Sequence, residues 1–171
     1  NEWSKLPLRV EDNTNRLLDL FAEHDVKSTF FCLGWVAEKC PNVIRRIVDE
    51  GHELASHGYD HTRLHFLDRE SFLQDVSKSK RILEDASGSA VIGYRAPSFS
   101  INEKTQWAYE ALAKLGFVYS SSTYPIAHDL YGVPTWPRFK YDRPEGITEI
   151  PVPTLSIRGK NKGIGGGGYF R

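Results

Sequence analysis

The sequence has no net charge, little cysteine and no long apolar run. Its 22 basic side chains are balanced by 22 acidic ones, so no excess of positive charge indicates a nucleic acid or an anionic membrane as partner. No apolar stretch approaches the ~20 residues that cross a bilayer, which predicts that no segment spans a membrane. Cys32 and Cys40 are too few for a disulfide framework, and we expect both to be reduced and buried.

Methionine is also absent, and the chain begins at Asn1. A start without methionine is typical of a processed protein or a fragment, so we expect these residues to belong to a longer protein. The first residues show no export signal, which leans toward the bacterial cytoplasm, but the sequence leaves compartment and oligomeric state open. The 171 residues are enough for one domain with a sizeable core.

Helical and strand-like segments alternate through the first two thirds of the sequence. Apolar residues recur at helical spacing in four segments, residues 10–23, 41–51, 69–87 and 103–116. Apolar runs of strand length occupy four others, residues 27–33, 52–56, 90–97 and 117–122. Strands separated by single helices pair in parallel through crossover connections, so the sequence predicts an α/β fold, either an open sheet or a barrel.

Three polar motifs accompany the ends of predicted strands. They are HGYDH at residues 57–61, RAPSFS at residues 95–100 and SSSTYP at residues 120–125. In both versions of the fold the carboxyl ends of parallel strands meet on one face, where ligands bind. We therefore expect the three motifs to form one site.

Regular alternation fades in the last third of the sequence. Residues 125–146 hold four prolines and several aromatic residues, which is typical of an ordered loop or a short hairpin. Residues 147–157 predict a late strand, which Pro151 and Pro153 restrict to a sheet edge. The glycine-rich residues 163–171 fit either a loop that approaches a ligand closely or a tail.

His57 and His61 are four residues apart, a spacing that lets two imidazoles converge on one ion if the backbone turns. The pair alone is a weak signal, because two polar residues in an ordinary loop have the same spacing. Gly58 stands where the zinc-protease helix would carry its glutamate base, and a tetrahedral site needs a third protein ligand. Asp60 would point away from a converging pair. The remaining histidines are more often surface or hydrogen-bonded residues than ligands: His24, His52, His65 and His128.

The segments STFFCLG, GHELASHGYDH, GYRAPSFSI and YSSSTYP, in this order and spacing, resemble the polysaccharide deacetylases of carbohydrate esterase family four. The likeness extends from Trp3 to Arg171 and is greatest to the branch associated with exopolysaccharide gene clusters and exosortase systems. It implies a distorted (β/α) barrel, here incomplete at both ends. The barrel would form one catalytic domain over residues 1–171 that lacks the first strand and the C-terminal part. The resemblance also implies a divalent metal, typically zinc, and removal of N-acetyl groups from an acetylated polysaccharide or oligosaccharide.

By this resemblance, His57 and His61 are two ligands of the metal. Arg95 is expected to orient and ionise a catalytic carboxylate, and the N–H of Ser98 to donate to the oxyanion of the amide under attack. On the residues alone, a structural salt bridge is an equal alternative for Arg95. Substrate binding is expected to involve four further residues, Pro97, Ser121, Ser122 and Trp136.

The sequence also departs from the family pattern. The aspartate pair of the first barrel strand, which supplies a general base and the third metal ligand, has no counterpart, because Asp12 falls inside a predicted helix. The late histidine that acts as general acid is missing as well. Ser98 and Ser120 replace an aromatic residue and an aspartate that are common in the family. We therefore expect the intact protein to be an enzyme and the isolated chain to be inactive.

Two other functions remain open from the sequence. A hydrolase of a small cyclic amide, as among the allantoinase-like members of the same fold, would need a closed pocket in place of a long groove. A non-catalytic sugar-binding protein would keep aromatic groove residues such as Trp136 and Tyr141 without the chemistry. Residues 125–146 could wall either a groove or a pocket, and the sequence does not indicate which polymer or sugar is bound.

Overall fold

The computed structural model describes residues 8–128 and 131–165. Its helices are α1 (Val10–Glu23), α2 (Gly34–Lys39), α3 (Pro41–Asp49), α4 (Arg69–Ser87) and α5 (Ala108–Lys114). Its strands are β1 (Thr29–Cys32), β2 (Glu53–Ser56), β3 (Gly93–Tyr94), β4 (Tyr119–Ser120), β5 (Tyr141–Asp142), β6 (Thr148–Glu149), β7 (Thr154–Ile157) and β8 (Lys160–Gly163). Helices and strands alternate from α1 to β4, as the sequence predicts, except that two helices, α2 and α3, separate β1 from β2.

Six strands form one sheet in the order β1-β2-β3-β4-β6-β5. Neighbours from β1 through β4 to β6 are parallel, and β5 is antiparallel to β6. The β1–β2 ladder pairs Thr29 with Glu53 and Cys32 with Ser56, so both strands end at the same level of the sheet. β7 and β8 form a separate antiparallel hairpin. The predicted α/β fold with parallel strands is confirmed.

Helix α4 shows how the sequence sets the limits of an element. The Asp68 side chain accepts a hydrogen bond from the N–H of Ser71 at 2.8 Å and caps the N-terminus. Gly88 ends the helix with a φ of 70°, in the left-handed region that favours glycine. Between these ends Phe72 and Leu83 are fully buried in the core, and each such burial contributes roughly 1.5–3 kcal/mol.

Two helices differ from the prediction. Helix α2 is not among the predicted elements, because six residues are too few for an apolar repeat to show. A Cβ on Gly34 would lie 2.9 Å from Cα of Ser79, so only glycine lets α2 approach α4 this closely. Helix α5 begins later than predicted, at Ala108, because the Asn102 side chain accepts from the N–H of Lys104 (2.9 Å) and stabilises a turn.

The predicted edge strand at residues 147–157 is wrong in its position. Its first part is β6, which lies inside the sheet between β4 and β5, and its last part is β7. Pro151 and Pro153 separate the two strands, because neither has an N–H for a ladder hydrogen bond. The described part of residues 125–146 does form an ordered loop with a short hairpin, since β5 pairs with β6. The predicted glycine-rich stretch that begins at residue 163 lies mostly outside the described residues.

Both cysteines are free thiols, with Cys40 buried and Cys32 half-buried at the end of β1. Within the two described ranges, no helix is both long and apolar enough to cross a membrane.

Candidate active site

Polar residues from the predicted motifs meet in one groove at the carboxyl ends of the parallel strands. His57 follows β2, and Arg95 follows β3. A cavity of about 730 Å³ has both side chains in its wall, together with His61 and Ser98. Apolar and aromatic side chains complete the wall, among them Leu17, Phe21, Phe31, Phe99 and Tyr131. The structure thus brings the HGYDH and RAPSFS motifs into a single groove.

The HGYDH loop after β2 is held from behind by two helices. The backbone carbonyls of Gly58 and Tyr59 accept hydrogen bonds from the first turn of α2, at 3.0 and 2.9 Å. From α4, the Ser79 hydroxyl donates to the same Gly58 carbonyl (2.8 Å), and the Asp75 carboxylate accepts from the N–H of Tyr59 (3.0 Å). These bonds fix the loop backbone, while its two histidines line the groove.

His57 offers one ring nitrogen for coordination. Its Nδ1 lies 2.7 Å from the carbonyl oxygen of Arg95, and because a carbonyl only accepts, Nδ1 carries the proton and Nε2 keeps its lone pair. Burial lowers the pKa of His57 to about 4, so the ring is neutral at neutral pH. The His61 ring lies beside it, with centroids 5.0 Å apart and planes inclined by 71°. Partial burial also lowers the pKa of His61, and neutral imidazole is the form that binds metals.

Residues 8–128 and 131–165 contain no cluster of three or more His, Cys, Asp or Glu that could hold an ion. Asp60 instead accepts a hydrogen bond from the Thr62 hydroxyl at 2.5 Å. Among the other histidines, His52 accepts from the N–H of Ser28, and the His128 ring stacks on a tyrosine. Within the described residues, His57 and His61 stay the two predicted metal ligands, and no third residue of these types joins them.

Arg95 is held by hydrogen bonds and by an aromatic ring. Its Nε donates to the Ser121 carbonyl (2.9 Å) and its Nη2 to the Ser121 hydroxyl (2.7 Å). The guanidinium carbon lies 4.0 Å from the centre of the Phe31 ring. Burial lowers the pKa of Arg95, although a guanidinium stays charged in proteins. Arg95 forms no ion pair within the described part of the chain, and its pairing with a catalytic carboxylate stays a prediction.

Ser121 and Ser122 are buried, and Ser121 lines a smaller cavity beside Arg95. The carbonyl and hydroxyl of Ser121 hold Arg95. The Ser122 hydroxyl accepts from the N–H of Ala96 (2.9 Å) and from the Ser120 hydroxyl (2.7 Å). These polar atoms support the groove through their protein partners, and the contact of both serines with substrate stays a prediction.

Two more residues predicted to bind substrate also face the protein. Trp136 packs against the hydrophobic core and is not among the residues that line the 730 Å³ groove. Pro97 is buried, and its Cγ lies close to Gly58, so it supports the histidine loop. Both make packing contacts that suit apolar side chains, and their contact with substrate stays a prediction.

Ser98 is in an unusual backbone conformation. It has φ 52° and ψ 30° within the short 3-10 turn Pro97–Phe99, and Phe99 also has a positive φ of 50°. The left-handed region costs a non-glycine residue of order 1–3 kcal/mol, and such strain often lies at functional sites. The predicted oxyanion role of the Ser98 N–H stays a prediction.

Glu149 in β6 is a fully buried residue behind the groove that the sequence does not reveal. Its Oε1 accepts hydrogen bonds from the N–H of Ser122 (2.8 Å), the N–H of Thr123 (2.9 Å) and the Thr123 hydroxyl (2.9 Å). Its Oε2 accepts from the Tyr109 hydroxyl (3.0 Å). The signal that could have found it is strand alternation, because Ile147 and Glu149 are both buried two residues apart.

The chain matches the family model for polysaccharide deacetylase over residues 5–119. Residues 121–171 match a second model, a domain of unknown function (DUF3473). The chain is 38% identical over 98 residues to a peptidoglycan-N-acetylglucosamine deacetylase of Bacillus cereus, which covers 57% of this chain and 36% of that protein. It is also 38% identical over 85 residues to a chitooligosaccharide deacetylase of Sinorhizobium fredii, with 49% and 40% of the two chains covered.

A solved structure has the same fold. It is a Mycobacterium smegmatis protein assigned to the polysaccharide deacetylases, which matches with a TM-score of 0.68 and 31% identity over 81% of this chain and 45% of that one. The chain thus spans less than half the length of these three relatives. Since the first family model covers more than half of the sequence, the chain belongs to the polysaccharide deacetylase family.

Proposed function

We propose that the protein containing this chain is a metal-dependent hydrolase that removes N-acetyl groups from an acetylated polysaccharide or oligosaccharide. One observation carries the proposal. His57 donates through Nδ1 to the Arg95 carbonyl and lies ring to ring with His61 in the wall of an open groove. A hydrogen bond of this kind orients metal-binding histidines and fixes their tautomer.

The two histidines fit a divalent ion of the zinc type. A catalytic zinc site has three protein ligands and an open position, so two come from this chain and a third must come from outside the described residues. When bound, such an ion would polarise the acetamide carbonyl and lower the pKa of a water molecule. Zinc is our choice among several divalent ions that imidazole binds.

Residues of this chain would supply orientation and charge around the ion. Arg95 would orient a catalytic carboxylate through a charge-assisted hydrogen bond. The N–H of Ser98 would donate to the amide oxygen as negative charge develops on it. The aromatic wall with Phe31 and Phe99 would keep water away from these charges and so strengthen their effect.

We propose a polymer of N-acetylglucosamine as the substrate class. The Bacillus cereus relative is named for the N-acetylglucosamine of peptidoglycan, and the Sinorhizobium fredii relative for chitooligosaccharides. An open groove with aromatic walls also suits a run of sugar rings. The exopolysaccharide branch predicted from the sequence would make the polymer an exopolysaccharide, which a parallel assay on both substrates distinguishes.

We also propose that residues 1–171 belong to one catalytic domain. Strand β6 lies in the part matched by the second family model, but its Thr148 pairs with Tyr119 of β4, the last residue matched by the first. The Tyr109 hydroxyl, in the first part, donates to Glu149 in the second, and Arg95 in the first donates to Ser121 in the second. A shared sheet and shared buried hydrogen bonds support one folding unit.

Metal content and acetate release of the intact protein test the proposal together. We expect about one zinc-type ion per chain, lost in His57→Ala and retained in His65→Ala, whose ring contacts Phe66 away from the groove. Release of acetate from acetylated chitooligosaccharides should disappear in the variant that loses the metal and persist in the control.

Two other outcomes would overturn the proposal. Hydrolysis of a small cyclic amide such as allantoin, without hydrolysis of acetylated oligosaccharides, would indicate the allantoinase-like alternative. Binding of oligosaccharides by a protein that neither takes up metal nor releases acetate would indicate a sugar-binding protein.

A further inference from the structure

We propose that Glu149 is a positioning residue for Arg95, acting through the segment from Ser121 to Thr123. This inference rests on the role of Arg95 in the proposed function. Glu149 is fully buried and does not line the groove, so any effect on the reaction must pass through other residues.

The first step is the hold of Glu149 on the segment. Its Oε1 accepts from two successive backbone amides, those of Ser122 and Thr123, and from the Thr123 hydroxyl. Two amides that converge on one oxygen fix the backbone between them. The residue just before them, Ser121, presents both its carbonyl and its hydroxyl to Arg95. The position of the guanidinium therefore depends on the segment that Glu149 holds.

The segment also reaches the backbone that follows β3. The Ser122 hydroxyl accepts from the N–H of Ala96, and the neighbouring carbonyl, that of Arg95, accepts from Nδ1 of His57. A shift of the segment would thus move both the Arg95 side chain and the hydrogen-bond partner of a metal ligand. One buried carboxylate supports two functional groups of the groove.

If the position of Glu149 served only for packing in the core, an apolar residue would be expected there. Taking a carboxylate out of water is costly unless hydrogen bonds replace the hydration, and Glu149 has no ion pair within the described ranges. Arg143, which lies over the Tyr109 ring, pairs with Glu145. An apolar side chain would avoid the cost of desolvation but would leave the amides of Ser122 and Thr123 without an acceptor. The observed arrangement favours a position that must present an acceptor to this segment.

The Nε–H of Arg95 gives a direct readout in the intact protein. Its signal in a ¹H–¹⁵N spectrum, assigned by its loss in Arg95→Lys, reports the hydrogen bond to the Ser121 carbonyl. In Glu149→Ala we expect this signal to shift and to exchange faster with water. We also expect kcat on acetylated chitooligosaccharide to fall roughly 10- to 100-fold with little change in KM, as for other outer-shell partners. Glu149→Gln keeps an acceptor oxygen and should restore both readouts.

Thr105→Val is the matched control, because it removes another buried threonine hydrogen bond, from Thr105 Oγ1 to the Ser100 carbonyl. It should lower stability without moving the Arg95 signal. If Glu149→Ala does not fold, Thr123→Val removes one of the three bonds to Oε1 and should shift the same signal by less. An unchanged Arg95 signal in a folded variant of Glu149 or Thr123, or an equal change in the control, would overturn the proposal.

The spectroscopic readout needs no substrate. If the intact wild-type protein releases no acetate, the proposed function is wrong. If the Arg95 Nε–H signal does not change in variants of Glu149, only this inference is wrong. The two failures are therefore distinguishable.

Discussion

The His57–His61 loop and the Ser121–Thr123 segment both support the groove, but they are held in different ways. The loop is held by helix amides, a hydroxyl and the half-buried carboxylate of Asp75. The segment is held by Glu149, which is fully buried. In the loop His61 is exposed and His57 is half-buried, whereas Ser121 and Ser122 of the segment are buried.

This difference fits two different tasks in the proposed function. As a proposed metal ligand, His61 would have room to adjust to its ion, because it is exposed at the end of a fixed loop. A charge that stabilises a reaction must be in place beforehand, since reorienting it during the reaction costs energy. Arg95 is accordingly clamped between Ser121 and Phe31. Substitutions in the His57–His61 loop should therefore act mainly on metal affinity, and substitutions around Arg95 mainly on the rate of the reaction.

Outside the two proposed metal ligands, the largest effect is expected from Arg95→Lys. Lysine keeps the charge but lacks the planar fork that donates to the carbonyl and hydroxyl of Ser121 and stacks on Phe31. We expect kcat/KM for acetate release to fall about 10²- to 10³-fold, the range for loss of one preorganised donor, with metal content unchanged. Steady-state kinetics and metal analysis of the intact protein measure both.

The chain offers a close control for this change. Arg138 donates through Nε to the Thr154 hydroxyl (3.0 Å) and through Nη2 to the Thr154 carbonyl (2.6 Å), so it uses one residue's hydroxyl and carbonyl as Arg95 does. Arg138→Lys should lower stability to a similar degree and leave kcat/KM unchanged. Equal losses of kcat/KM in Arg95→Lys and Arg138→Lys would argue against a special role for Arg95.

A smaller effect is expected from Gly58→Ala in the histidine loop. Gly58 has a φ of 76°, and an added Cβ would lie 3.0 Å from Oδ2 of Asp75. Gly88→Ala is the control, because its φ of 70° is similar but nothing lies within 4 Å of the added Cβ. The backbone conformation costs either alanine about 1–2 kcal/mol, and only Gly58→Ala should lose more stability and also metal affinity. Urea unfolding measures the loss of stability, and metal titration measures the loss of metal affinity. Equal losses in Gly58→Ala and Gly88→Ala would mean that the loop accommodates the added methyl group beside Asp75.

Elements with strong local signals could be predicted from the sequence. The cap at Asp68 and the glycine at 88 frame α4, and the run of residues 27–33 contains β1. Strand β6 could not be placed, because its partner β4 is distant in sequence and two prolines nearby are typical of an edge. Pairing between distant segments is decided by packing of the whole sheet, which no local pattern contains.

The candidate site also has residues whose place could be predicted from the sequence and residues whose place could not. His57, His61, Arg95 and Ser98 reach one groove because the strands before them end on one face, a consequence of parallel pairing. The supporting role of Ser121 and Ser122 could not be predicted, because a serine at a strand end looks the same whether it faces a ligand or a buried partner. Glu149, which accepts from the N–H of Ser122, lies 27 residues from it in sequence.

The smallest effect is expected from Asp75→Asn, and it depends on pH. Burial is the main cause that raises the pKa of Asp75 above its ordinary value of 3.8, against the hydrogen bond from the N–H of Tyr59, which lowers it. The folded protein therefore binds a proton at Asp75 at a higher pH than the unfolded chain does, so the carboxylate costs stability as the pH rises through that window. Asparagine does not titrate, and its oxygen can still accept from Tyr59. Urea unfolding between about pH 4 and pH 7 should show wild type losing stability relative to the variant as the pH rises.

Asp85→Asn, on the exposed side of α4, controls for removal of a charge. If the difference in free energy of unfolding between wild type and Asp75→Asn stays constant with pH, the Asp75 carboxylate is as well solvated as one on the surface. The contacts of α4 with the histidine loop would then be looser than its hydrogen bonds indicate.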